Sequence, residues 1–208
     1  MDKTSTTTTV TSATSTSTTF TTFTTATKTT SSTTSTESTT SSTSTATTTA
    51  IVCNFTNVGL LQTFSALAPT SWTSYSVTFI ATSTVTNLQF SSATDQANKD
   101  WSIDNVSVVA NGGIGTNLLL NGDFENGSSV GWAMYSCSST CSASIISSTN
   151  CDGGSGSCYN NQCTPSTNIQ FLEQYFITNI GTNYNVSFSV LKGGSGLGSG
   201  TVMHVNAI

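Results

Sequence analysis

The stretch Asn183-Tyr-Asn-Val-Ser-Phe-Ser-Val190 alternates strictly, with Tyr184, Val186, Phe188 and Val190 on one parity and Asn183, Asn185, Ser187 and Ser189 on the other. Successive side chains of a β-strand point to opposite faces, so this pattern reads as a strand with one face buried. Ser74-Tyr-Ser-Val-Thr-Phe79 repeats it, with Tyr75, Val77 and Phe79 on the apolar parity. Less regular β-like runs cover 84–90, 101–109, 117–120, 169–177 and 201–207. No helical apolar stripe of useful length occurs, and Gly and Asn clusters punctuate the runs. Many short strands with turn residues between them predict an all-β chain, a jelly roll or similar β-sandwich.

Composition bounds the rest. Of the first 50 residues 38 are Ser or Thr, whereas all three Trp, all five Tyr and all six Cys come later. Residues 1–50 therefore read as a disordered stalk or linker, too poor in apolar groups to offset the entropy of ordering. Such tracts occur as O-glycosylated, mucin-like spacers and as unmodified linkers. Only 6% of the 208 residues are charged, Arg is absent, and four Lys leave a net charge of -5. Nucleic-acid binding, which rests on Lys and Arg neutralising phosphates, is excluded as a function class. No run approaches the roughly 18 apolar residues of a membrane-spanning helix, so membrane insertion is not expected. The opening Met1-Asp2-Lys3-Thr4 lacks the apolar core of a secretory signal.

Other features point outside the cell. Four sequons follow the stalk, at Asn54, Asn105, Asn126 and Asn185. By the alternation, Asn185 takes the polar face of its strand, and Asn105 shares a buried face with Trp101 and Ile103. Cys137, Cys141, Cys151, Cys158 and Cys163 lie close together in a segment rich in Gly, Ser and Asn, with Cys53 far upstream. Disulfides closing a long surface loop suit this pattern better than zinc, because there is no C-x2-C pair and the single His, His204, is distant. Five clustered cysteines cannot all pair locally, so one pairs with Cys53, reaches another chain or stays free. The expected location is secreted or at an extracellular surface.

The segment Asn117-Leu-Leu-Leu-Asn-Gly-Asp-Phe-Glu-Asn-Gly127, followed by Gly131-Trp132, resembles the opening of a galactose-binding-like jelly roll, a fold shared by several carbohydrate-binding modules. Leu172-Glu-Gln174-Tyr-Phe176, Gly181 and Tyr184-Asn-Val-Ser-Phe188 resemble its middle. Trp101-Ser-Ile-Asp-Asn-Val-Ser-Val108 resembles its closing strand, and Trp72-Thr-Ser-Tyr-Ser-Val-Thr-Phe79 a strand that precedes it. The order departs from the family: a closing half (51–110) stands before an opening half (111–208). Either the chain is cut from a tandem array, or the halves pack as one circularly permuted sandwich through Ala110-Asn-Gly-Gly-Ile-Gly115. Thr49-Ala-Ile-Val-Cys-Asn54 and Thr201-Val-Met-His-Val-Asn206 look like one strand written twice, which favours the cut. The expectation is one permuted sandwich with a duplicate strand displaced or at an edge.

The resemblance implies aromatic platforms for the apolar faces of sugar rings, with amides and carboxylates for hydroxyls. Tyr135, Tyr159, Tyr175 and Gln174 are the chosen ligand-binding residues, because Tyr135 and Tyr159 fall in the cysteine-rich, presumed surface loop. Trp72, Tyr75, Trp132, Gln170, Asn160 and Asn161 form the wider set, with Trp132 and Trp101 expected in the core. The resemblance also implies a structural calcium ion, for which Asp104, Asp123 and Glu125 are the matching carboxylates, turn residues being the alternative. No catalytic residues are expected. His204 lacks a partner, no nucleophile elbow lies between a strand and a helix, and nothing tunes a carboxylate pair for acid–base work. The functional expectation is an extracellular carbohydrate-binding module on a mucin-like spacer, with glycans or glycoproteins as partners and further modules in a longer parent chain. The alternative is a structural or adhesive β-sandwich that binds no sugar.

Overall fold

The structure, a computed structural model, describes residues 54–65, 67–111, 115–194 and 200–208. The stalk, Cys53, and the copy of the repeated strand up to Cys53 lie outside the described residues. Ten strands follow in order: β1 (Leu60–Phe64), β2 (Thr73–Ile80), β3 (Val85–Ala93), β4 (Trp101–Ala110), β5 (Ala133–Ser136), β6 (Cys141–Ser147), β7 (Ser157–Cys163), β8 (Gln170–Ile177), β9 (Asn183–Lys192) and β10 (Val202–Ala207). They form two antiparallel five-stranded sheets, ordered β1-β10-β3-β8-β5 and β2-β9-β4-β7-β6. The all-β sandwich read from the sequence is thus the observed fold class.

The two alternating runs behave as the period-2 rule requires. β2 and β9 pair in register, with Tyr75 opposite Phe188, Val77 opposite Val186 and Phe79 opposite Tyr184. Their rings stack, Tyr75 on Phe188 at 6.0 Å and Phe79 on Tyr184 at 5.4 Å between centroids. Between the sheets lie Leu88, Phe90, Trp101, Ile103, Leu172 and Met203, all fully buried or nearly so. Burying side chains of this size contributes about 1.5–3 kcal/mol each, which explains why the apolar parity fixes the register.

Strands from before and after residue 110 are interleaved in both sheets: β3 lies between β10 and β8, and β9 between β2 and β4. β10, the second copy of the repeated strand, is not at an edge. It lies between β1 and β3 with Met203 and Val205 fully buried.

Two expectations about elements fail. Residues 117–120 are not a strand. They dock beside β4 through the Asn117 side chain, whose Oδ1 accepts from the amides of Val108 (2.9 Å) and Leu119 (3.1 Å) and whose Nδ2 donates to the Val106 carbonyl (3.0 Å). The cysteine-rich segment is not an irregular loop. It forms the β6–β7 hairpin at the edge of the second sheet, with Cys141 directly opposite Cys163 and disulfide-bonded to it. A second disulfide, Cys151–Cys158, ties the connecting loop to β7, and Cys137 is disulfide-bonded as well. No free cysteine occurs among the described residues. Among the same residues, no helix is long and apolar enough to cross a membrane.

Candidate ligand-binding face

Residues directly opposite each other in an antiparallel pair share a face. On the outer face of the first sheet, one row across the strands is therefore Tyr135, Phe171, Ser91 and His204. The next is Ala133, Glu173, Gln89 and Asn206, followed by Tyr175 with Asn87 and then Ile177 with Val85. The other parity of the same strands supplies Leu88, Phe90, Leu172 and Phe176 to the core.

Glu173 is the centre of this face. Its Oε2 accepts hydrogen bonds from Asn87 Nδ2 (2.9 Å), Gln89 Nε2 (3.0 Å) and the Tyr135 hydroxyl (3.1 Å). The Tyr135 ring stacks on Phe171 with centroids 4.9 Å apart and an 18° tilt. Burial, and then the Glu173 charge, push the Tyr135 phenol well above its ordinary range, so it stays protonated and donates. The same two causes raise Tyr175, whose side chain is nevertheless 65% exposed.

Three buried side-chain atoms among the described residues have no hydrogen-bond partner: Asn87 Oδ1, Ser91 Oγ and Asn206 Oδ1. All three belong to this outer face, and none lies between the sheets. A buried polar group left unpaired costs about 1–3 kcal/mol, so donors brought by a ligand would be stabilising here. Asn87 pairs across the strands with the exposed Tyr175. Asn206 is flanked by the segment ahead of β1, since its Nδ2 donates to the carbonyls of Thr56 (3.1 Å) and Val58 (2.9 Å).

Of the four chosen ligand residues, Tyr135 and Tyr175 are brought together here with Glu173 between them. Gln174 falls on the core parity, where its Oε1 accepts from the Leu120 amide (2.6 Å) and its Nε2 donates to the Leu120 carbonyl (3.0 Å). It clamps the 117–132 segment onto β8. Tyr159 is fully buried in β7, its hydroxyl accepting from Asn161 Nδ2 (3.1 Å), so the surface position expected for it is corrected. Trp132 and Trp101 are core residues as expected, Trp132 donating from its indole to the Asn121 carbonyl (3.0 Å). Tyr75 packs against the core, and Gln170 and Asn161 are buried.

Trp72 and Asn160 belong to a different place, an open groove of about 720 Å³ on the outside of the second sheet, lined also by Asp100, Ser102, Asn150 and Asp152. The Trp72 indole donates to the Asn150 carbonyl (2.7 Å), spanning the groove. Asn160 Nδ2 bonds both the Asp100 carboxylate and Ser102 Oγ.

The three carboxylates matched to calcium are differently placed. Asp104 is 2% exposed and spends both oxygens on backbone donors, the amides of Asn105 (2.7 Å) and Asp152 (3.2 Å). Glu125 Oε1 accepts from the Ser157 amide (3.1 Å), and Asp123 is an exposed turn residue. Burial raises the Asp104 pKa to about 6, and the charges of Asp152 and Glu125 add to the rise while the two amides oppose it. No group of three or more His, Cys, Asp or Glu among the described residues is placed to hold a metal ion. The sequon Asn105 is not buried. Beside a register shift in β4 it adopts a left-handed backbone (φ 51°) and is exposed, its Nδ2 donating to Asp152 Oδ2 (3.1 Å).

Period-2 parity was the signal for Glu173, because it shares a face with Tyr175 and Gln174 does not. No protein-family model matches this chain, and no curated protein or solved structure matches it significantly. What the geometry establishes is an all-β sandwich of two five-stranded antiparallel sheets, cross-linked by disulfides.

Proposed function

We propose that this chain is an extracellular carbohydrate-binding module, non-catalytic, carried on a mucin-like spacer in a longer multi-module protein. It binds a neutral glycan on the outer face of its first sheet. The observation that carries the reading is the collection of every unpaired buried side-chain polar atom among the described residues on this one face, which also carries Glu173, Tyr135 and Tyr175. Tyr175 offers an exposed ring to the apolar side of a sugar, and the unpaired amide oxygens accept from its hydroxyls. Glu173 makes the face acceptor-rich and, with no Lys or Arg across its rows, favours neutral over acidic sugars. Disulfides suit an oxidising compartment.

A structural or adhesive role without sugar has its own support in the exposed Val85 and Ile177, opposite each other at the end of the same face. A glycan array probed with the disulfide-intact protein separates the two readings. Saturable binding to neutral oligosaccharides is expected, weakened at least about tenfold by Tyr175→Ala, which removes a stacking ring. Silence across the array, or binding untouched by Tyr175→Ala and by Glu173→Gln, removes the sugar reading.

A further inference from the structure

The groove on the second sheet plays no part in the proposed glycan face, and it is built from different parts. Its floor is the outward parity of the sheet, with Ser102 opposite Asn160 and also opposite Leu191. One wall is Ser71 and Trp72; the other is the loop 149–154, which the Cys151–Cys158 disulfide ties to the floor strand β7. The Trp72-to-Asn150 hydrogen bond joins the walls and fixes the indole edge. The ring is left with its π face as its remaining recognition surface. At about 720 Å³ the groove is in the usual range for a small-molecule site.

An aromatic ring set among amides and a hydroxyl suits a sugar, and the charges decide which kind. Asp100 and Asp152 line the groove, and among the described residues no Lys, Arg or His does. The hydrogen bonds these carboxylates accept come from neutral donors: Asn160 to Asp100, and Asn105 and the Gly153 amide to Asp152. Behind Asp152 stands the buried Asp104, which accepts from the Asp152 amide and feels the charges of both Asp152 and Glu125. The negative charge at the groove is therefore hydrogen-bonded but not neutralised. A ligand that brings a cation gains Coulomb energy in a partly dehydrated site, and an ammonium over an indole face gains a cation–π term as well.

From the groove's lining and charge we propose a second ligand site, for a saccharide unit bearing a free amino group, with Trp72 stacking on the ring and Asp100 and Asp152 receiving the ammonium. It is separate from the glycan face on the opposite sheet.

Calorimetric titration of the whole chain with a fully deacetylated glucosamine tetramer, and with its N-acetylated counterpart, tests this. Acetylation removes the charge and keeps the sugar, so the acetylated tetramer is expected to bind at least about tenfold more weakly. Affinity for the deacetylated form should also fall as salt is raised, because the contact is ionic. Neither comparison requires an altered protein. Trp72→Ala and Asp100→Asn should each weaken the deacetylated tetramer, while Tyr175→Ala leaves it unchanged. Equal affinity for the two tetramers, no binding of the deacetylated one, or its loss in Tyr175→Ala overturns the assignment. Because the glycan face is read out by neutral sugars and Tyr175, its failure and the groove's failure give different results.

Discussion

Asp104 is a carboxylate whose ionisation is tied to the fold. It is 2% exposed, and its pKa is raised to about 6 by burial first, with Asp152 and Glu125 adding to the rise. The folded protein thus holds this proton more tightly than the unfolded chain, where an Asp titrates near 3.9. The stability contributed by the group is fully present below the unfolded value and is lost as pH rises through 6. Between pH 5 and pH 7 the loss amounts to about 1 kcal/mol. Asp95 has the opposite sign. Its hydrogen bonds from Lys99 and Thr201 lower its pKa, and its contribution disappears only as pH falls through that lowered value, below the window of Asp104. Urea denaturation at pH 5 and pH 7 should show greater stability at pH 5, and Asp104→Asn should flatten the difference. An identical pH dependence in the variant would dismiss the assignment to Asp104. Because the Asp104 oxygens are already taken by backbone amides, the unfolding midpoint should also be the same in calcium and in EGTA; a clear rise with calcium would show that the carboxylates rearrange around the ion.

At the scale of elements, the part of the sandwich with the least regular appearance is held by single side chains and one glycine. The 117–122 segment behaves as a substitute strand beside β4. Asn117 copies a backbone pairing, and the Val106 amide donates to the Gly122 carbonyl at 2.8 Å. A Cβ on Gly122 would lie 2.0 Å from the Val106 carbonyl oxygen, and the obstacle is backbone that cannot swing away. Gly122→Ala should therefore cost about 2 kcal/mol or more through overpacking, measured by urea denaturation; a variant within a few tenths of wild type would mean that this segment shifts freely. The same region shows what was legible in the sequence. β2 and β9 announced themselves because polar and apolar residues alternate through 74–79 and 183–190. β5, β6 and β7 did not, since Ser, Cys and Asn carry little β signal, and the strand character of Ser157–Cys163 comes from cross-strand pairing and the two disulfides. Tyr159 was misplaced for that reason. Asn105 was misplaced because the register shift in β4 breaks the alternation on which its burial was argued. In β8 the proposed face was half legible: Tyr175 lies on it, whereas its neighbour Gln174 falls on the core parity and only Glu173 shares the Tyr175 side of the sheet.

Across the whole molecule, the two sheets present different chemistry outward, and the Cys141–Cys163 and Cys151–Cys158 bridges lie on one of them. The first sheet carries the aromatic, acceptor-rich face around Glu173. The second carries the groove, and its edge hairpin β6–β7 holds both Cys141–Cys163 and Cys151–Cys158. A cross-link that closes a longer loop removes more freedom from the unfolded chain, and the sequence separations are 22 and 7 residues. In the chain-entropy account this gives about 3.5 kcal/mol for the first bridge and about 2.5 kcal/mol for the second. Replacing the pair Cys141 and Cys163 by Ser should thus destabilise the protein more than replacing Cys151 and Cys158, by about 1 kcal/mol in urea denaturation. Ligand binding should follow the reverse order. Cys151–Cys158 anchors the groove wall that carries Asn150 and Asp152, so its loss should weaken the amino-sugar titration while neutral-glycan binding on the opposite sheet persists. If either double variant abolished both activities at native-like stability, the two faces would be coupled through the sandwich core, and the separation of function between the sheets would have to be abandoned.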